Sequence, residues 1–116
     1  TRRELKKARL TNVKAIHITD EPTLPLKDES LDGAMSVFPF QFFKKSEQIL
    51  KDVNRCMKKG GWLSVIEWQP EFLEYGPVRK NRVQPAALRE KIEKAGFKFY
   101  IRHDLSDMAY MMIFSK

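Results

Sequence analysis

Residues 24–38 read LPLKDESLDGAMSVF, and this stretch decides the fold. A polar turn, Lys27-Asp28-Glu29-Ser30, feeds an apolar run from Leu31 to Phe38 whose only charge, Asp32, stands at its entrance. That pattern predicts a short strand buried on both faces of a parallel sheet. A helical pattern, a Gly60-Gly61 turn and a second apolar run at 62–68 follow. Strand, helix, strand in that order makes a βαβ unit, for which a right-handed crossover is the default.

Working outward, the helix between these strands carries Ile49, Leu50, Val53, Cys56 and Met57 on one stripe, with Lys51, Asp52 and Lys58 turned to water. Ser46 is its candidate N-cap, and Gly60 is suited to the left-handed conformation that closes it. Upstream, Pro22 and Pro25 forbid regular pairing and make 20–30 a loop. Before it, Val13, Ala15, Ile16 and Ile18 form a β-type run, expected to lie in the same sheet and in the same direction as 31–38. Arg2 to Leu10 has helix-forming composition but no lead-in, like the tail of a helix that starts elsewhere.

Downstream, 69–83 lacks periodicity and is punctuated by Pro70, Gly76 and Pro77. A loop of this length in a small domain is often a lid or substrate-contacting flap. Pro85 opens a further helix with Leu88, Ile92 and Ala95 inward and the pairs Arg89-Glu93 and Glu90-Lys94 outward; Gly96 stops it. Strands at 97–103 and 108–114, joined by a short turn, make an antiparallel hairpin. The predicted order is α-β-β-α-β-α-β-β.

With 116 residues, 42% hydrophobic and 32% charged, the chain is one domain, residues 1–116, with one core. No apolar run approaches the roughly 18 residues that cross a bilayer, and the first residues lack a signal-peptide core, so no membrane partner and a cytoplasmic location are expected. A lone Cys56 excludes an internal disulfide and a cysteine-only metal site, and its place on an inner helix face favours an inert thiol. His17 and His103 have no spaced second ligand, so no metal is expected. The +7 charge is concentrated in Arg2, Arg3, Lys6, Lys7, Arg9 and Lys14; without interleaved aromatics these read as a solvated face rather than a nucleic-acid surface. Phe38, Phe40, Phe42 and Phe43 are either a hydrophobic plug or a pocket lining.

Three blocks together resemble the class I S-adenosylmethionine-dependent methyltransferases, most closely the ubiquinone and menaquinone C-methyltransferase subgroup. NVKAIHITDEPTLPLKDESLDGAMS (12–36) is similar to that family's third strand, acidic residue, Leu-Pro loop and entry to the fourth strand. RCMKKGGWLSVI (55–66) is similar to its Arg-x-Leu-Lys-Pro-Gly-Gly-x-Leu turn, with Met57 for Leu and Lys59 for Pro. LREKIEKAGF (88–97) is similar to its helix and Ala-Gly-Phe ending. The resemblance implies a Rossmann-like α/β sheet, mostly parallel with an antiparallel C-terminal hairpin. Strands 1 and 2 and the glycine-rich cofactor loop would lie before Thr1, and no glycine precedes Gly33.

The resemblance further implies S-adenosylmethionine as cofactor, with Asp20 accepting a hydrogen bond from the adenine amino group, Thr19 and Glu21 completing the adenine wall, and Phe38 and Pro39 flanking the methionine portion. Read without it, Asp20 is a solvated loop acid, and Phe38 and Pro39 are plain core. Asp32 is expected to bond nearby backbone amides. Glu67 and Trp68 either contact substrate or simply end a strand. The methyl acceptor is expected to be a small molecule. The family's Asn-Pro-Pro-Tyr signature for amine methylation is replaced by Phe38-Pro39-Phe40-Gln41, which disfavours nucleobase and glutamine-amide targets. No catalytic residue is named, because the activated cofactor carries the chemistry. Two other classes stay open: a methyltransferase-like interaction module without catalysis, and a basic nucleic-acid-binding α/β domain. The sheet edge left open by strands 1 and 2 suits pairing with a second copy.

Overall fold

The computed structural model describes residues 2–17, 23–37 and 46–116. Its elements are α1 (Arg2–Lys7), β1 (Leu31–Val37), α2 (Ser46–Cys56), β2 (Met57–Trp68), a 3-10 turn (Arg79–Asn81), α3 (Pro85–Lys94), β3 (Lys98–Asp104) and β4 (Ala109–Ser115). The four strands form one sheet in the order β1-β2-β4-β3. β1 and β2 run parallel on either side of α2, as the βαβ pattern requires, and β4 runs antiparallel to both β2 and β3. The fold is therefore the Rossmann-like arrangement expected from the sequence, a mixed open sheet ending in a hairpin.

Alternation along the strands decides which face is filled. Leu63 and Val65 of β2 stand opposite Phe114 and Met112 of β4, and all four are buried. Leu50, Met57, Leu88, Ile92 and Phe97 close over them, so α2 and α3 cover this one face. The amphipathic stripe of each helix is thus spent on the same core. Pro85 opens α3, Gly96 leaves it at a φ of 106°, and the pairs Arg89-Glu93 and Glu90-Lys94 form on its exposed side.

Four expectations are corrected. First, residues 13–17 belong to no strand and do not share the sheet with β1; Ile18 lies outside the described residues. A strand exists only where a ladder partner exists, and no described residue pairs with 13–17, leaving Val13 48% and Ile16 41% exposed. Second, β1 is covered on one face only: Ala34 packs on the core while Met35 is 64% and Val37 52% exposed. Third, α2 ends at Cys56, and Met57 already belongs to β2. Between the pairs Leu31-Met57 and Gly33-Trp62, β2 carries three more residues than β1, and Gly60 takes its positive φ of 81° inside that bulge rather than at a helix end. Fourth, α1 stops at Lys7 instead of Leu10, with Arg9 at a φ of 57°.

Two side chains expected to face water or amides have other partners. Asp52 is largely buried: it takes Arg55 Nε at 2.7 Å and the Leu24 backbone N–H. Arg55 also donates to Leu26 O at 2.9 Å, Asp28 Oδ1 at 2.6 Å and Leu24 O at 3.1 Å, so one guanidinium staples residues 24–28 to the end of α2. Asp32 points outward and pairs with Lys58 Nζ at 3.0 Å.

Candidate functional site

In a parallel pair both strands end at the same rim of the sheet, and ligands of open α/β sheets bind outside those carboxyl ends. Here Val37 pairs with Ile66, two residues before β2 ends at Trp68. The rim also receives Asp104 from β3 and Ala109 from β4, because Trp68 faces Ala109 and Asp104 faces Tyr110. Four strand ends and the loops at 69–83 and 105–108 therefore converge on one side.

The residues proposed to hold a cofactor, Thr19, Asp20, Glu21, Phe38 and Pro39, lie outside the described residues. The described chain places their neighbours. Val37, which precedes Phe38 in sequence, stands at the rim end of β1, and Leu24, four residues after Asp20 in sequence, is fixed by Asp52 and Arg55 near the opposite, amino end of the sheet. Residues 24–30 thus lead into β1 at its amino end, bonded to the end of α2. A carboxylate that accepts from an exocyclic amine and an aromatic-proline pair beside an aliphatic sulfonium chain are residue types that would suit S-adenosylmethionine. The half-exposed Val37 leaves the adjoining apolar surface open.

Glu67, expected either to touch substrate or to leave the sheet as a bare charge, is buried on the core face beside Tyr110. Tyr110 donates its hydroxyl to Val83 O at 3.2 Å, and burial, reinforced by the Glu67 charge, pushes its phenol pKa well up, keeping it neutral.

The loop at 69–83 is not a free flap. Gln69 donates its backbone N–H to Met108 O at 2.8 Å and its side-chain amide to Asp104 Oδ1 at 2.8 Å, tying the loop's start to the hairpin turn. That amide, with Arg102, holds the Asp104 carboxyl below its usual range. At the loop's other end Arg82, 7% exposed, donates to Pro77 O at 2.9 Å, Gln69 O at 3.0 Å and Tyr75 O at 2.8 Å, and lies 5.5 Å from the Trp68 ring centroid. Trp68 stacks on Phe72 at 6.4 Å, and Phe72 meets Tyr75 edge-on at 5.2 Å. Gly76 turns at a φ of 91° against the Trp68 ring, where a Cβ would come within 3.0 Å. Sequence reading missed Arg82. Its only signal was an arginine at the end of a Pro- and Gly-punctuated loop, which does not reveal which carbonyls it will reach.

Cys56 is buried, donates to Leu26 O at 3.8 Å, and has its thiol pKa pushed up by burial, as an inert residue should. Among the described residues no group of three His, Cys, Asp or Glu side chains is placed to hold a metal ion, and no helix is long and apolar enough to cross a membrane.

Comparison with known proteins adds four findings. The sequence profile of a family described as "Methyltransferase domain" matches residues 1–65. The biotin biosynthesis bifunctional protein BioHC of Teredinibacter turnerae is 35% identical over 57 residues, which is 49% of this chain and 10% of that protein. Among solved structures, a SAM-dependent methyltransferase from Aquifex aeolicus superposes with a TM-score of 0.90 at 20% identity, over 97% of this chain and 59% of that one. A SAM-dependent methyltransferase from Thermotoga maritima, described as a possible histamine N-methyltransferase, gives 0.70 at 28% identity, over 98% of this chain and 69% of that one. The chain thus spans about three fifths of the Aquifex structure and a tenth of the bifunctional protein.

Proposed function

The chain belongs to the methyltransferase domain family, and from that membership we propose that it belongs to an enzyme that moves a methyl group from S-adenosylmethionine to a small molecule. The observation that carries this reading is that the family match, residues 1–65, takes in the acidic loop and the whole of β1 with the Phe38-Pro39 step after it. Asp20 is the residue to hold the adenine amino group, with Thr19 and Glu21 beside it and Phe38 and Pro39 against the methionine chain. The subgroup that methylates quinones is one version of this reading; small carbon, oxygen or nitrogen acceptors all suit it.

When bound, S-adenosylmethionine would supply a sulfonium-activated methyl group, which passes to the acceptor's nucleophile as the carbon–sulfur bond breaks and neutral S-adenosylhomocysteine leaves. The chain's own task is then positional. β1 and β2 bring their ends to one rim, the Arg55 staple fixes the loop entering β1, and Arg82 fixes the loop that starts where β2 ends at that rim. Transfer needs no dedicated base where the acceptor's proton passes to solvent, and none is assigned.

The test is calorimetry of the whole protein with S-adenosylhomocysteine. Saturable binding, weakened about tenfold or more in Asp20→Ala through loss of a hydrogen bond to a charged group, is expected. Absence of binding by the intact protein would refute the reading.

A further inference from the structure

We infer that the loop at 69–83 is a rigid aromatic platform for the methyl acceptor, and that the buried Arg82 guanidinium tunes it toward uncharged planar acceptors and against ammonium ones. This rests on the transferase reading for its biological meaning, but not for its physical test.

Three observations meet here. The first is position: the loop begins at Trp68, where β2 ends at the rim, and is bonded to the hairpin turn through Gln69. The second is rigidity. Arg82 joins three carbonyls spread over nine residues of loop, so the Trp68-Phe72-Tyr75 stack is held without any ligand. Pre-organised aromatic surface binds without a large ordering cost. Within that stack Tyr75 is still 62% exposed, with Leu73 and Val78 equally open on the same loop. A mobile loop would fold such groups away; a staked one presents them.

The third observation is charge. Arg82 already lies on the Trp68 ring, and its hydrogen bonds go to uncharged carbonyls, so its positive charge stays at the base of the stack. On the solvent side Glu71 and Glu74 balance Arg79 and Lys80, and Glu71 is already paired with Arg79 at 3.6 Å. A cation brought to the stack meets the Arg82 charge through a low-dielectric path. A flat neutral molecule meets only π-faces, and gains from offset stacking. Ring cages that capture ammonium groups keep their faces free of resident cations; this one does not.

The experiment uses the whole protein at neutral pH with two probes, 2-naphthol (flat and uncharged) and tetramethylammonium (cationic, with no flat face), followed by calorimetry and saturation-transfer NMR. Saturable 2-naphthol binding is expected, weaker by about fivefold to tenfold in Tyr75→Ala, the size of one lost aromatic contact. Tyr100→Ala removes an even more exposed ring, 75% open, from β3 and should change nothing. Arg82→Met should weaken 2-naphthol as much as Tyr75→Ala does, because the stack loses its stake, and should speed amide exchange across 70–81. Equal loss in Tyr100→Ala, unchanged affinity in Arg82→Met, tighter binding of tetramethylammonium than of 2-naphthol, or no saturable 2-naphthol binding would each overturn the assignment. S-adenosylhomocysteine titrated into the same preparation separates the two ideas: failure there sinks the transferase reading and leaves the probe result standing.

Discussion

Replacing Arg82 by Met keeps most of the side chain's length and removes all of its donors. Three carbonyls, Gln69 O, Tyr75 O and Pro77 O, then lose their partners in a site that leaves only 7% of the residue exposed. An orphaned buried acceptor costs about 1–3 kcal/mol. Taking the low end for each, because the loop's outer side can admit water, gives about 3 kcal/mol in all. For a chain of 116 residues, unfolding entropy near the midpoint is of order 0.24 kcal/mol per degree, so the expected fall in Tm is about 12 °C. If the loop instead opens by itself, the global loss is capped by the loop's own opening free energy and the signal moves to local exchange. Thermal unfolding followed by circular dichroism, with hydrogen exchange read across 69–83, distinguishes these two forms of the same cost. Arg82→Lys should recover part of it, since one ammonium reaches some but not all of three diverging carbonyls. A Tm within about 2 °C of the parent's together with unchanged loop exchange would refute the claim that this guanidinium holds the loop.

Other consequences are open to direct measurement. Leu88→Ala empties a fully buried position on the inner face of α3 and should cost about 2–5 kcal/mol in urea unfolding; a loss below about 1 kcal/mol would mean the core collapses around it. The Asp52 carboxyl is held below its ordinary 3.8 by the Arg55 hydrogen bond and the Leu24 N–H. Its folded pKa is depressed, so its contribution is present above about pH 4 and is lost as pH falls through the folded value; Asp52→Asn should flatten the acid limb of the stability curve, and an unchanged limb would exclude the staple as its cause. Expressed by itself, this 116-residue chain should self-associate through the outer side of β1, which has no ladder partner among the described residues and carries neither proline nor lysine; a monodisperse monomer by light scattering would count against that.

Much of the architecture was legible in the order of residues because it depends on near neighbours. Apolar residues on one stripe from Ile49 to Cys56, Pro85 at a helix start, Gly96 at a helix end and a four-residue gap before β4 each constrain a few adjacent dihedrals, and those elements appear where expected. What the order of residues could not settle was who stands beside whom. Residues 13–17 have a strand's composition and no strand, since a ladder needs a partner that local pattern does not supply. Met35 and Val37 look like core and lie open, since burial is a property of what covers a face. Asp52 reads as a surface charge and Arg82 carries no local signal, yet with Arg55 they are the fold's fasteners, since the carbonyls and acids they reach lie on segments up to 31 residues away. Local pattern determined the elements and their order; tertiary structure alone decided the pairings, because hydrogen bonds and burial are made across space rather than along the chain.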